Sequence, residues 1–232
     1  MSIRRTARSR TSTVSLIVAL AVALSGGALT AYAAGGGIQA DATSMHRHAD
    51  STAEVSAETA LHRAMRTVWI QHMEWTYATV VAFADDSPGL QPTIERLLRN
   101  QVDIGNAIAP FYGEDAAARL TGLLTTHIEQ AVPVLSAAKA GDEVALRQAV
   151  TAWNGNAKDI ADFLAKANPA WDRQDMRDMM ATHITTTIGY AGDVLAGDRE
   201  GAIASFDNAE AHMIEMADML SDGLIVQFPE RF

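Results

Sequence analysis

The side chains most able to do chemistry in this chain are histidines and carboxylates that recur at a spacing of 56 positions, as from His127 to His183. The recurring set consists of His72, Asp103, His127, Asp159, His183, His212 and Glu215. Imidazole nitrogens and carboxylate oxygens bind transition-metal ions, and a carboxylate can also accept a hydrogen bond from a histidine. A fixed period of this length is typical of a fold built from copies of one supersecondary unit.

Each copy of the repeat combines a histidine, a second polar residue in the following helix, and a carboxylate three residues later. In the middle copy these are His127, Asn156 and Asp159, with the turn Gly141-Asp142 between them. The second polar residue is Asn100, Asn156 and His212 in the three copies in turn. The first histidine, His72, lies one place off the exact period, as if the turn that follows it were one residue shorter.

From residue 56 onward, apolar residues follow the 3.6-residue period of amphipathic helices, which predicts an all-α fold. We expect six helices, separated by turns after Ala84, at Gly113, at Gly141, at Asn168-Pro169 and at Gly197. No segment shows a sustained period of two, so no sheet is expected. The short connections predict three tandem antiparallel hairpins, one per repeat, packed as a closed six-helix bundle.

The histidines fall on the apolar stripe of the first helix of each predicted hairpin, at the spacing of a buried face. Each turn lies halfway between a histidine and its polar partner, so equal rises of about 1.5 Å per residue bring the two to the same level. We therefore expect a belt of imidazoles and carboxylates at one height in the core, with Asn100 and Asn156 orienting the ligands.

Burying ionisable groups is costly unless they are hydrogen-bonded, paired or bound to a metal, and this leaves two interpretations. In the first, the belt binds an iron, manganese or zinc ion; copper is the weaker competitor, favoured by the methionines near His183 and His212. In the second, the same groups form a metal-free hydrogen-bonded layer in a helical scaffold or interaction module. No catalytic residue is identified, so enzymatic activity is left open.

The first residues have the layout of a secretory signal peptide. Arginines at positions 4, 5, 8 and 10 precede an apolar run at positions 14–24 and the sequence Ala31-Tyr32-Ala33. We expect residues 1–33 to be a signal peptide, residues 34–55 a flexible tether and residues 56–232 the helical domain. The protein is thus expected to be exported, with a leader retained as a membrane anchor as the alternative.

Charge and cysteine content narrow the classes of partner. Without residues 1–33, 14 of the 18 basic side chains remain against all 28 acidic ones, for a formal net charge of −14. So acidic a chain disfavours nucleic acid and anionic membranes and is compatible with cation binding. No membrane insertion is expected after leader removal, and no protein partner is identified. The absence of cysteine excludes disulfides and thiolate metal sites.

Residues 96–105 have the sequence RLLRNQVDIG, residues 111–113 FYG and residues 227–229 QFP. These three segments resemble an uncharacterised family of exported, all-helical bacterial proteins, and the similarity extends from about Trp69 to the end. The resemblance implies an all-helical fold and no particular activity. A more distant similarity to hemerythrin-like and ferritin-like bundles implies a metal site in a helical core. This chain departs from both, because it lacks His-x-x-x-His and paired Glu-x-x-His, and His212-x-x-Glu215 has the reverse order.

Overall fold

A computed structural model describes residues 55–232, which form six α-helices and a terminal 3-10 turn. The helices are α1 (Ala57–Ala84), α2 (Leu90–Tyr112), α3 (Glu114–Ala140), α4 (Glu143–Ala167), α5 (Arg173–Ala196) and α6 (Arg199–Gln227), followed by the turn Pro229–Arg231. This part of the chain contains no strand, so the all-α prediction is confirmed. The predicted signal peptide, and all but the last residue of the predicted tether, lie outside the described residues.

The helix ends follow from local chemistry that the sequence already displays. The side chains of Asp142, Asp172 and Asp198 accept hydrogen bonds from backbone N–H groups in the first turns of α4, α5 and α6. Gly141 and Gly197 end α3 and α5 with φ of 69° and 76°, the left-handed conformation that glycine adopts without a steric penalty. Five polar or flexible residues therefore set the boundaries of four helices.

The six helices pack in chain order around a common core. Each helix packs against the next along the chain, and α6 returns to pack against α1, so the arrangement is closed. In addition, α5 contacts both α1 and α3. Side chains on the odd-numbered helices therefore approach one another inside the bundle, which is where three of the four predicted histidines lie.

The core is built from the apolar stripes that the sequence predicts. In α1, α3 and α5 the residues Met65, Leu120 and Met176 are buried at equivalent positions, about two turns before the histidines. The equivalent stripe of α2, α4 and α6 is also buried, and it comprises Leu97, Trp153, Ala209, Ile104, Ile160 and Met216. Apart from Leu97, these residues belong to one hydrophobic cluster that receives side chains from every helix. None of the six helices is both long and apolar enough to cross a membrane.

Candidate functional site: a buried three-histidine cluster

Three of the predicted histidines meet in the middle of the bundle. His72 of α1, His127 of α3 and His183 of α5 are only 2%, 2% and 4% exposed. The ring centroid of His183 lies 5.7 Å from that of His72 and 5.7 Å from that of His127. Three residues separated by more than fifty positions in the sequence thus form one cluster, which we call the three-histidine cluster.

The position of each histidine on its helix explains why the three rings meet. In α1, His72 lies seven residues after Met65, and seven residues return a helix to within about 20° of the same direction. Met65 is in the core, so His72 points there as well. His127 and His183 have the same relation to Leu120 and Met176.

Two tryptophans border the cluster. The ring centroid of Trp69 lies 5.9 Å from that of His72, and the centroid of Trp153 lies 5.1 Å from that of His127. Both indoles are buried. The histidines therefore lie in a largely apolar environment, and this environment determines their charge state.

Burial keeps the three imidazoles uncharged at neutral pH. Loss of hydration lowers the pKa of His72 to about 3, with His127 as a second cause because its charge would repel a charge on His72. The pKa of His127 falls to about 4, again because burial penalises the charged form. The pKa of His183 is also lowered, first by burial and then by repulsion from the neighbouring histidines. A neutral imidazole has one nitrogen lone pair free to accept a proton or bind a metal.

The protonation pattern of His127 follows from its hydrogen bonds. The side-chain amide nitrogen of Asn156 donates to the carbonyl oxygen of Leu123 at 3.1 Å, which turns the amide oxygen toward the histidine. His127 Nδ1 lies 2.8 Å from that oxygen and therefore donates its proton to it. The lone pair of the neutral ring is then on Nε2, which is buried and has no hydrogen-bond partner.

In all three pairs of helices, the polar residue of the second helix contacts the backbone of the first helix in the same way. A side-chain nitrogen at this position approaches a backbone carbonyl oxygen four residues before the cluster histidine. The pairs are Asn100 to Val68 at 3.0 Å, Asn156 to Leu123 at 3.1 Å, and His212 to Met179 at 2.9 Å. His212 is half-buried and forms this contact between α6 and α5, and it lies near enough to His183 to contribute to the lowering of that ring's pKa.

The three carboxylates lie at the surface, and the expectation of a mixed His/carboxylate belt is wrong in this respect. Asp103, Asp159 and Glu215 are all exposed, and Asp103 forms an ion pair with Arg96 at 3.5 Å. Three residues rotate a helix about 60° short of a full turn. Asn100 already lies about 60° from the buried Leu97, so Asp103 is about 120° away from the core direction. The same offset separates the other two carboxylates from the core.

The sequence interpretation missed a buried glutamine beside the cluster. Gln101 is fully buried in α2, and its side-chain nitrogen lies 2.7 Å from the carbonyl oxygen of Leu97 and 3.3 Å from His72 Nδ1. Its position one residue after Asn100 places it about 40° from Leu97, well within the buried face. This angular argument, applied to every polar residue of α2, would have identified it.

Several buried polar atoms around the cluster have no hydrogen-bond partner. They include His127 Nε2, His183 Nδ1, Asn100 Oδ1 and Gln101 Oε1. Each buried polar atom left unpaired costs about 1–3 kcal/mol. A fully satisfied hydrogen-bonded layer would not leave these atoms unpaired, and a bound ion would pair with the nitrogens among them.

In the structure, the three imidazole rings are not arranged as the ligands of one metal ion. Across residues 55–232, no group of three or more His, Asp or Glu side chains is arranged as a metal-ion site. Nδ1 of His72 faces the side-chain nitrogen of Gln101 at 3.3 Å, which is long for a hydrogen bond. Metal binding by all three histidines therefore requires at least one ring to turn.

A second group of ionisable residues, also missed from the sequence, joins α1 to α6 at the surface. His62 Nδ1 lies 3.3 Å from Asp218, and His62 Nε2 lies 3.2 Å from Asp222. Arg66 binds both carboxylate oxygens of Asp218. These side chains are partly exposed, and they act as an ion-pair contact that helps to close the helix ring.

No protein-family model, curated protein sequence or solved structure matched this chain.

Proposed function

We propose that the protein binds one transition-metal ion at the three-histidine cluster, with His72, His127 and His183 as the ligands. The observation that carries the proposal is the meeting of three buried imidazoles, one from each odd-numbered helix, with the ring centroid of His183 5.7 Å from each of the other two. Three protein ligands with an open fourth position are the arrangement of many catalytic zinc sites. Whether a reaction occurs at this ion is left open.

The hydrogen bonding of His127 supports this proposal. A histidine that binds a metal donates its other ring N–H to an oxygen atom, which orients the ring and leaves the second nitrogen to bind the ion. His127 donates through Nδ1 to Asn156, and its unpartnered Nε2 is available. Asn156 is thus the residue that holds the ligand in position, the role predicted for it from the sequence.

The proposal also requires a rearrangement, because the three rings are not arranged as a metal-ion site. If the His72 ring turns, it exchanges its 3.3 Å contact with Gln101 for a bond to the ion. Gln101 has a shorter bond, to the carbonyl oxygen of Leu97, that does not depend on His72.

The ligand set affects which ion is preferred. With the three carboxylates at the surface, the donors are imidazole nitrogens alone. Imidazole suits zinc, iron, copper and nickel, whereas manganese and magnesium prefer oxygen donors. Zinc is therefore the first choice and iron the second, and manganese loses the support that a carboxylate belt would have provided. Copper gains support, because the cluster is bordered by buried methionines such as Met180.

A metal-free scaffold is the second candidate, and a separate observation favours it. The contacts of Asn100, Asn156 and His212 with backbone carbonyl oxygens hold each even-numbered helix in register with the helix before it. A polar layer can fix helix register without any ligand. In this alternative, the fixed helix register leaves the polar atoms around His127 and His183 unpaired, which lowers stability.

The same three contacts support a finer description of the fold. We propose that the chain consists of three tandem copies of one helical hairpin, α1–α2, α3–α4 and α5–α6. The cluster histidines, and the carbonyl groups four residues before them, occupy equivalent places in the three pairs. The copies differ at the second-helix position, where asparagine in the first two becomes His212 in the third.

Elemental analysis of protein purified without chelator or histidine tag tests the metal proposal. We expect about one ion per chain, the stoichiometry of a mononuclear site. The variants His127→Gln and His183→Gln should lose the ion. Asn156→Leu should retain it with about 10–100-fold lower affinity, the usual effect of removing the group that orients a ligand. All proteins carry His46→Gln and His48→Gln, which removes another histidine pair that could bind metal.

Two further sets of variants make the test discriminating. Asp103→Asn, Asp159→Asn and Glu215→Gln should keep the ion, because these carboxylates lie at the surface. His62→Gln should also keep it, and it controls for metal bound by the surface group at Asp218. Loss of the ion in the carboxylate variants would instead favour the mixed belt. Metal-free wild-type protein that also fails to bind added zinc would favour the scaffold.

A further inference from the structure

An apolar cavity lies on the axis of the bundle, next to the three-histidine cluster. Trp69 and Met180, which line it, are three residues before His72 and His183 on their helices. Ile104, Ile160 and Met216 line it from α2, α4 and α6, and Leu120 lines it from α3. All six helices contribute, so the cavity lies in the middle of the core and about one helical turn from the imidazoles.

The cavity is deeply buried, and its surface is apolar. Each of its eleven lining residues is apolar and at most 5% exposed. Only two of these side chains carry a polar atom, the indole nitrogens of Trp69 and Trp171. Trp171 Nε1 donates to Met219 at 3.3 Å, and Trp69 Nε1 has no partner. One free donor is fewer than the two to four polar partners that a buried water molecule needs.

The size of the cavity limits what can enter it. Its volume is about 10 Å³. This is close to the minimum for one water-sized molecule. Because the walls disfavour water, the occupant that fits both size and chemistry is small, uncharged and apolar. Three methionines, Met65, Met180 and Met216, line the space, and their flexible side chains can adjust to an occupant.

We propose that this cavity is a binding site for a small apolar gas molecule of the size of dioxygen. Burial of such a molecule is favourable because it leaves water for a space with no competing hydrogen bonds. The inference depends on the cavity alone and holds whether or not the histidines bind a metal. If both proposals are correct, the gas lies about one helical turn from the ion.

Methyl-group NMR of the full-length protein under a few atmospheres of dioxygen tests the inference. Dioxygen is paramagnetic and accelerates the relaxation of methyl groups that it touches. In protein labelled at the methionine methyls, Met65, Met180 and Met216 should relax several-fold faster under dioxygen than under nitrogen. Met73 and Met213 are equally buried but do not line the cavity, so they should change much less. Equal acceleration in both groups would overturn the inference.

A cavity-filling substitution supplies the second arm of the experiment. Ile104→Phe places extra volume in the cavity and should abolish the contrast between the two groups of methionines. Val102→Phe adds the same ring at an exposed position of the same helix and should preserve the contrast. If Ile104→Phe does not fold, Leu220→Phe fills the same space from α6. A contrast that survives in a folded, filled variant would contradict the proposed site. Metal analysis of these variants keeps this outcome separate from that of the histidine cluster.

Discussion

At the scale of single residues, the decisive property of the site is that three histidines are buried with no acid beside them. The exposed Asp103, Asp159 and Glu215 cannot neutralise an imidazolium in the core. A charged ring there would have neither water nor a counter-ion, so folding selects the neutral form. The lone pairs that result are what make the cluster able to bind a metal ion or accept a proton.

The first prediction concerns the pH dependence of stability in metal-free protein. The pKa of His127 is about 4 in the folded chain, below the ordinary histidine value of 6.5 that applies in the unfolded chain. Between these values the unfolded chain binds the additional proton, so the free energy of unfolding decreases as the pH falls. The contribution is up to about 1.4 kcal/mol per pH unit for each such histidine. His72 contributes to the pH dependence in the same direction, and its contribution extends to lower pH because its pKa is about 3 in the folded chain.

Denaturant unfolding of the chelator-treated protein between about pH 5 and pH 6 measures this slope. His127→Phe should reduce the slope by up to about 1.4 kcal/mol per pH unit, because one titrating group is removed. Leu124→Ala is the matched control, since it also disturbs the core of α3 but removes no titratable group. It should lower stability and leave the slope at the wild-type value. An unchanged slope in His127→Phe would mean that this ring is not buried in neutral form.

At the scale of helices, neighbouring elements pack very closely at two glycines. This close packing fixes the relative positions of the polar residues that these elements carry. Gly105 of α2 faces α3 so closely that an added Cβ atom would lie 2.0 Å from Thr121 Oγ1 and 2.9 Å from the carbonyl oxygen of Ala117. Gly223 of α6 is similarly close to the indole of Trp171. Glycine is required at these two places because any side chain would separate the packed elements.

The second prediction follows from this contact. Gly105→Ala should destabilise the protein by about 1–3 kcal/mol, the usual cost of overpacking a filled interface. Gly122→Ala, an exposed helical position with nothing within 4 Å of the added Cβ, should instead stabilise it by about 0.5–1 kcal/mol because alanine favours the helix. Thermal unfolding of both variants tests the opposite signs. A stabilising Gly105→Ala would contradict the close packing of α2 on α3.

At the scale of the folded domain, the proposed repeat does not make the hairpins independent. A linear array of repeats is held together by contacts between neighbours alone, so its ends can unfold separately. Here α6 packs on α1, and one hydrophobic cluster takes residues from all six helices. Closure therefore joins the first and last hairpins, and we expect the domain to unfold as one unit.

The third prediction tests this cooperativity by hydrogen exchange. Leu224→Ala removes a fully buried side chain from α6 and should cost about 2–5 kcal/mol. If the domain is one cooperative unit, the slowest-exchanging amides of α3 and α4 should lose the same free energy of protection. Ile203→Ala, at a position of α6 that is 59% exposed, should change protection by no more than about 0.5 kcal/mol. Unchanged protection in α3 and α4 of Leu224→Ala would indicate independent hairpins.

The amino-acid sequence by itself determined where the helices begin and end. It also determined which side of each helix faces the core. Helix boundaries depend on neighbours in the chain, such as the caps at Asp142 and Asp198 and the positive φ of Gly141. The burial of His72, His127 and His183 was predictable for the same reason, because the helical period relates each of them to an apolar residue seven positions earlier.

Only the tertiary structure decided how wide the buried sector of each helix is, and which side chains meet inside it. A periodic pattern shows which side of a helix faces the core. The neighbouring helices determine how far around the helix the buried surface extends before it meets solvent. That limit lies between Asn100 and Asp103, so the asparagine is buried and the carboxylate three residues later is exposed. The convergence of three histidines likewise depends on contacts of α5 with both α1 and α3, which are remote in the chain. Contacts between distant helices leave no local pattern, because each helix can satisfy its own period against many different neighbours.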